Sequence, residues 1–472
     1  MSPIRALCAA LMLLGLSGCL LGPDYKRPAI ELPKGFNAGN AVVPVVSSAA
    51  MASVMVKQDW WTQFGDQTLD QLVDSARTEN ADLQIALGRL AQAEALARQA
   101  GAAQYPSLNV TGSGTRASTG TSVSPSGIGL QTNTSQLGLV TSYELDVWGR
   151  VRRNIESASS LATASAYDRD SIALTISALV STTYMRLRSL DAQIIVLSDS
   201  VQTRADTLRV ARAKLAGGLV SPIDVNQALA ARSASQATLS ELMRQRAVAQ
   251  NQLGVLTGKL DLKLESLDLR SLPAPPIPPT GLPSTILESR PDINRVEQEL
   301  TAANARIGVA TANFFPTISL TGVFGSQSVD FSAFLSGRSA VWSASIGLLQ
   351  PIFTGGALQA RLDFANAQRQ EVLGNYVKTI RVAFGEVSDA LVSVSQTLET
   401  EQFLTEQVQA ATKAQELAAL RYEAGYVDYL NVLEAQRAAN EANLAFVINR
   451  SLRLQAGVDL FKALGGGWVV SR

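Results

Sequence analysis

Gly218-Leu-Val-Ser-Pro-Ile-Asp-Val-Asn-Gln-Ala228 lies without a gap on Gly425-Tyr-Val-Asp-Tyr-Leu-Asn-Val-Leu-Glu-Ala435, a shift of 207 residues. Tyr105-Pro-Ser-Leu-Asn-Val-Thr-Gly112 matches Phe315-Pro-Thr-Ile-Ser-Leu-Thr-Gly322 at nearly the same shift. The chain is therefore read as a duplication, and its fold as one half used twice. Upstream of each glycine turn runs a stretch without proline or a loop signal, 149–217 and 355–424. As continuous helices these would each be about 100 Å long at 1.5 Å per residue, beyond the length of ordinary globular helices.

Apolar residues recur every seven positions in both stretches. In the first, Val180, Leu187, Ile194, Val201, Leu208 and Leu215 form one row and Ile176, Thr183, Leu190 and Leu197 its companion. In the second, Ile380, Val387 and Val394 run beside Phe384, Leu391 and Leu398. A sustained seven-residue repeat is the pattern of a coiled-coil seam. Each half thus reads as helix, two strands, very long helix, tight turn and helix.

The strands alternate. Leu137, Leu139, Thr141, Tyr143 and Leu145 interleave with Gln136, Gly138, Val140, Ser142 and Glu144, and Trp342, Ala344, Ile346 and Leu348 with Val341, Ser343, Ser345 and Gly347. The expected strands are about 106–116, 135–147, 316–327 and 340–352. Such a dyad suits a barrel wall with lipid on one side and a lumen on the other, and it equally suits a half-exposed sheet in a soluble domain. Four strands cannot close a membrane barrel, so a lipid-facing sheet requires several chains to share one.

Composition removes whole classes of chemistry. The chain of 472 residues carries 40 basic and 40 acidic side chains and no histidine, and its two cysteines are Cys8 and Cys19. No charge imbalance points to nucleic acid, and no histidine base, histidine-ligated metal, cysteine zinc cluster or disulfide framework is available. No cofactor or metal is expected. Hydrophobic residues make up 46% but aromatics 6%, a mixture suited to closely packed helices. No window offers 18 uninterrupted apolar residues after the N-terminal segment, so a helical membrane span is not expected.

Residues 1–18 read as a signal peptide, with Arg5 before an apolar run from Ala6 to Leu16. Leu16-Ser17-Gly18-Cys19 resembles a lipoprotein lipobox, which makes Cys19 the expected site of acylation and the mature N-terminus. Acyl chains there would hold the chain at a membrane. The expected organisation continues with a lipidated extended segment at 19–60, a first repeat at 61–270, a proline-rich linker at 271–283, a second repeat at 284–465 and a tail at 466–472.

The ordered set of motifs resembles a known family. It comprises Cys19 with Gly22-Pro-Asp-Tyr-Lys-Arg-Pro28, Trp60-Trp61 with Phe64 and Asp66, and Tyr143-Glu-Leu-Asp-Val-Trp-Gly-Arg150. Ser289-Arg-Pro-Asp-Ile293, Asn313-Phe-Phe-Pro316, Gln350-Pro-Ile-Phe-Thr-Gly-Gly356, and Arg421-Tyr422 with Gly425 and Tyr429-Leu430 complete it. Together these are similar to the TolC-like outer-membrane factors, in the NodT-type efflux lipoprotein branch. The resemblance implies a mainly α fold with a small membrane β-barrel portion: a homotrimer sharing a twelve-stranded barrel, four strands per chain, above a long periplasmic α-helical barrel. It implies outer-membrane lipid around the barrel, and as partners a periplasmic adaptor and an inner-membrane pump of the RND type.

Candidate functional residues cluster at the two turns. Gly217-Gly218 and Gly425 end the long helices. Ser221 is placed to cap the next helix, Pro222 fills its first position, and Asp224 can reach back to the turn's amides. Asp428 and Asn431 repeat that spacing. By the resemblance, Asp224, Asn431, Glu434 and Tyr422 would line or latch a periplasmic entrance, and Gly217, Gly218 and Gly425 would lie where an adaptor docks. The alternative for these positions is plain helix capping. The match departs from the family where Asn431 and Glu434 stand for aspartates and Val427 for a latching arginine. Closure is therefore expected to rest more on helix packing than on ion pairs.

The leading function is an efflux exit duct. The alternatives are the duct of a type I protein secretion system and a lipid-anchored coiled-coil scaffold without a pore. An enzyme is not expected, since no nucleophile elbow, phosphate loop or paired-carboxylate motif is present.

Overall fold

In the computed structural model, residues 20–31, 33, 36, 59–118, 120, 131–273, 290–329 and 339–466 are described. The signal peptide, Cys19, most of the proline-rich linker and residues 467–472 lie outside them.

A short 3-10 helix at Trp60–Phe64 leads into α1 (Gln67–Glu79) and α2 (Ala81–Ala102). β1 (Ser107–Ser118), β2 (Gln131–Leu145), α3 (Arg150–Ala216) and α4 (Pro222–Leu256) complete the first half. The second half has α5 (Pro291–Ala312), β3 (Thr317–Ser328), β4 (Ala340–Leu349), α6 (Ala357–Glu423) and α7 (Tyr429–Ala463). Helices α3 and α6 are both 67 residues long, and α4 and α7 both 35, so the duplication extends to element length. Among the described residues no helix is long and apolar enough to cross a membrane.

The strand limits differ from expectation at two ends. β2 begins at Gln131, because Gln131–Thr134 pair with Thr115–Ser118 although they lack the apolar alternation that announces the rest. β4 stops at Leu349, short of 352, where Pro351 has no N–H to offer a ladder.

Two compact units are present, and they cut across the repeats. One holds residues 1–29, 89–166 and 295–376, and with them the sheet. Its four strands are ordered β1-β2-β3-β4, antiparallel throughout, and the β2/β3 pairing joins the halves. Cross-strand partners share a face, and one face is a set of apolar rows: Val110, Leu139, Phe324 and Trp342, then Tyr143, Leu320 and Ile346, then Leu145, Ile318 and Leu348. The opposite face carries rows such as Ser142, Thr321 and Ser345. Apolar residues of the first face stand in the open, with Trp342 78% and Ile346 72% exposed. Asp146 closes the unit's β2/α3 junction by accepting from the amides of Val151 at 2.8 Å and Arg152 at 2.9 Å, the unsatisfied donors of a helix start.

The other unit holds residues 30–88, 167–294 and 377–472. Its core buries Trp60, Trp61, Phe64 and Phe461 with seam residues Ile176, Val180, Leu187, Leu190 and Leu197. Ile380, Val387, Leu391 and Val394 of the α6 seam are buried as well. Asp66 caps α1 through the amides of Thr68 and Leu69 and also accepts from the Tyr184 hydroxyl. Burial, and then this bond, hold the Tyr184 hydroxyl protonated far above the ordinary tyrosine range.

Candidate functional site

Both long helices end in the same local structure. After α3 the Leu219 amide donates to Lys214 O at 2.9 Å and the Gly218 amide to Leu215 O at 2.9 Å. After α6 the Tyr426 amide donates to Arg421 O at 2.8 Å and the Gly425 amide to Tyr422 O at 3.1 Å. These are paired Schellman closures, in which the residue after the cap must be left-handed. Gly218 has φ +73° and Gly425 φ +84°. A Cβ on either would meet nothing within 4 Å among the described residues beyond its chain neighbours, so backbone conformation alone requires the glycines. Gly217 has an ordinary negative-φ backbone and serves as the cap residue itself.

The helices that follow are capped in two related ways. Ser221 Oγ accepts from the Ile223 amide and Asp224 Oδ2 from the Ser221 amide, each at 3.2 Å, in a capping box. In the second turn Asp428 accepts from the Asn431 amide at 3.3 Å and from the Asn431 side chain. Asp224 and Asn431 are thus engaged in their own turns. Glu434 is paired as well, 2.7 Å from Arg437, which also reaches Glu441 at 3.2 Å.

Between the turns lies an apolar cluster of Leu208, Ala228, Tyr422, Tyr429 and Val432, with Val225, Val427 and Leu433 packed against it. The Tyr422 and Tyr429 rings meet edge to face with centroids 5.9 Å apart. Burial raises the pKa of both hydroxyls, and the Asp224 charge adds to it. The Tyr422 hydroxyl has no hydrogen-bond partner among the described residues.

Sequence reasoning missed Lys214. Its ammonium donates to Tyr422 O at 2.6 Å and sits 4.0 Å from the centre of the Tyr422 ring. It crosses from the end of α3 to the end of α6, where a cation is favoured by the helix C-terminus. The available signal was a lysine in the last turn of a helix, which ordinarily satisfies its own helix. A partner 208 residues away is not visible in sequence.

The site thus offers packed rings, capped turns and one cross-hairpin cation. Among the described residues, no group of three or more histidines, cysteines and carboxylates could hold a metal ion.

Residues 72–259 and again 282–466 match the family described as outer membrane efflux protein. The chain belongs to that family. Two relatives from Pseudomonas putida are the probable efflux pump outer membrane protein TtgC and the solvent efflux pump outer membrane protein SrpC. TtgC is 35% identical over 461 residues, covering 96% of this chain and 93% of its own. SrpC is 33% identical over 464 residues, covering 98% of each. The Campylobacter jejuni CmeC outer membrane channel superposes with TM-score 0.87 at 27% identity, covering 96% of each chain. This outer membrane efflux protein is therefore a TolC-like chain of the outer membrane, and family membership selects the efflux reading over the poreless scaffold.

Proposed function

We propose that the protein is the trimeric exit duct of a tripartite efflux system, passing small apolar molecules of the drug and solvent class outward without acting on them chemically. The observation that carries this reading is the sheet: four strands whose apolar face is open to the surroundings and whose outer strands, β1 and β4, each have one edge unpaired among the described residues. Unpaired edges are not tolerated in hydrocarbon, so a lipid-facing sheet of this kind must be completed by copies of itself. Three copies give twelve strands, above the minimum for a membrane barrel. Solvent efflux, named for the Pseudomonas putida relative, supports this choice of substrate class.

In this reading Cys19 carries acyl chains, and the paired turns form the periplasmic entrance and meet an adaptor bound to an RND-type pump. Asp224, Asn431, Glu434 and Tyr422 lie at that entrance. Asp224 and Asn431 chiefly cap, while Tyr422 closes through packing.

Deletion of the protein in its own host tests the reading. Cells lacking it should retain a fluorescent apolar dye and become sensitive to organic solvent, and restoration of the full chain should reverse both. Unchanged dye retention and solvent tolerance, in a host with no second gene of this family, would contradict it.

A further inference from the structure

We propose that residues 20–28 occupy a dedicated peptide seat built from both repeats around Arg153, and that this seat, rather than the acyl group on Cys19, holds the N-terminal strap on the fold.

The strap has no secondary structure of its own, so its backbone groups must be satisfied elsewhere. Its Leu21 amide donates to Trp148 O at 3.2 Å, at the junction between β2 and α3. Arg153, one turn into α3 and only 2% exposed, gathers the next residues. Its Nε donates to Leu21 O at 3.2 Å, and its Nη2 to Gly22 O at 3.4 Å and to Asp24 at 2.7 Å. Its Nη1 is held by Glu156 at 2.8 Å. The second repeat supplies the other wall from α5. Asn304 donates to Pro23 O at 2.7 Å, and Glu297 accepts from the Tyr25 hydroxyl at 3.2 Å and from Arg27 at 2.7 Å.

Steric fit is as specific as the polar contacts. Gly22 has φ +88°, and a Cβ there would fall 2.5 Å from the Cα of Gly308. A Cβ on Gly308 would lie 2.8 Å from both Leu21 O and Arg153 Cγ. Two glycines facing each other allow strap and helix to touch backbone to backbone, a contact no other pair of residues permits without displacement.

Charge makes the seat prefer to be filled. With the strap in place the buried guanidinium faces two carboxylates and two carbonyls. Removing the strap takes away one carboxylate and both carbonyls and leaves Glu156 as the guanidinium's remaining partner among the described residues, with water to replace the rest. The strap therefore staples the two repeats where helix meets strand.

Limited trypsin digestion of the full chain in detergent tests this, read by mass spectrometry as cleavage of the Lys26–Arg27 bond. Four forms are compared: wild type, Cys19→Ala behind a cleavable secretory leader, Arg153→Met, and Gly308→Val. Cleavage requires local release of the strap. The unlipidated form should resist as wild type does, while the two seat variants should be cut roughly tenfold faster or more, as loss of charge-assisted bonds predicts. Equal, rapid cutting of the unlipidated form, or full resistance of Arg153→Met, would overturn the proposal. If the seat variants do not accumulate, Asn304→Ala removes only the Pro23 bond and must still speed cleavage; unchanged protection there would overturn it too. Protease protection reads the seat whether or not the protein conducts.

Discussion

Lys214 and Tyr422 are joined twice: the lysine ammonium donates to the tyrosine carbonyl at 2.6 Å and lies 4.0 Å from the centre of its ring. The contact ties the end of the first long helix to the end of the second. An arginine latch is absent at Val427, and Lys214 supplies a cation by another route. The expectation that closure rests more on helix packing than on ion pairs gains a charged contact beside the packed cluster of Leu208, Tyr422, Tyr429 and Val432.

Lys214→Met keeps the aliphatic stem and removes the charge. It should cost about 1 kcal/mol, the size of a partly exposed cation–π contact, and should raise the open fraction of the channel. Lys214→Arg should lie between the two. Single-channel recording and thermal denaturation check this, and an open fraction equal to wild type in Lys214→Met would remove the clasp from the account.

Glu434 is neutralised by its neighbour Arg437 at 2.7 Å. Glu434→Ala alone should leave Arg437 balanced by Glu441, make the local charge less negative and shift selectivity toward anions, while Glu434→Ala with Arg437→Ala should return it toward wild type. Reversal potentials in a potassium chloride gradient decide the matter.

The apolar face of the sheet sets a third prediction. Trp342→Arg should cost about 2–4 kcal/mol if it meets the bilayer near its centre and should lower the amount of assembled protein in outer membranes. Ser343→Arg, on the opposite face of the same strand, should assemble normally. Equal loss for both variants would argue against a lipid-facing surface.

Asp459 supplies a pH dependence. Although Asp459 is exposed on α7, partial desolvation in its cleft raises its carboxyl above the usual range, with Lys462 opposing, and Glu386 and Asp389 share that cleft. A carboxyl raised in the folded state binds protons more tightly there than in the unfolded chain, so it lowers stability as pH rises through the interval between the two values. Asp459→Asn should therefore raise the melting temperature at pH 7, with the gain shrinking as pH falls toward about 4 and absent below it.

Much of this architecture can be read from local pattern. The seven-residue rows of Val180, Leu187 and Leu208 are buried, and the turn signals at Gly218 and Gly425 sit where the helices stop. Period and cap chemistry act over one or two turns, so sequence carries them. Contacts that depend on tertiary proximity were hidden. Arg153 resembles any helix N-terminal arginine until Leu21 and Asp24 are brought to it across about 130 residues of chain. Lys214 is the same case. The Glu434–Arg437 spacing was visible, but the reading of Glu434 as a ring charge left its partner out.

Conductance of the purified protein in planar lipid bilayers tests the central claim most directly. Discrete, long-lived pores are expected from wild type, and larger or more frequently open ones from Lys214→Met. Complete absence of pores from both, with the protein shown to be folded and inserted, would contradict it.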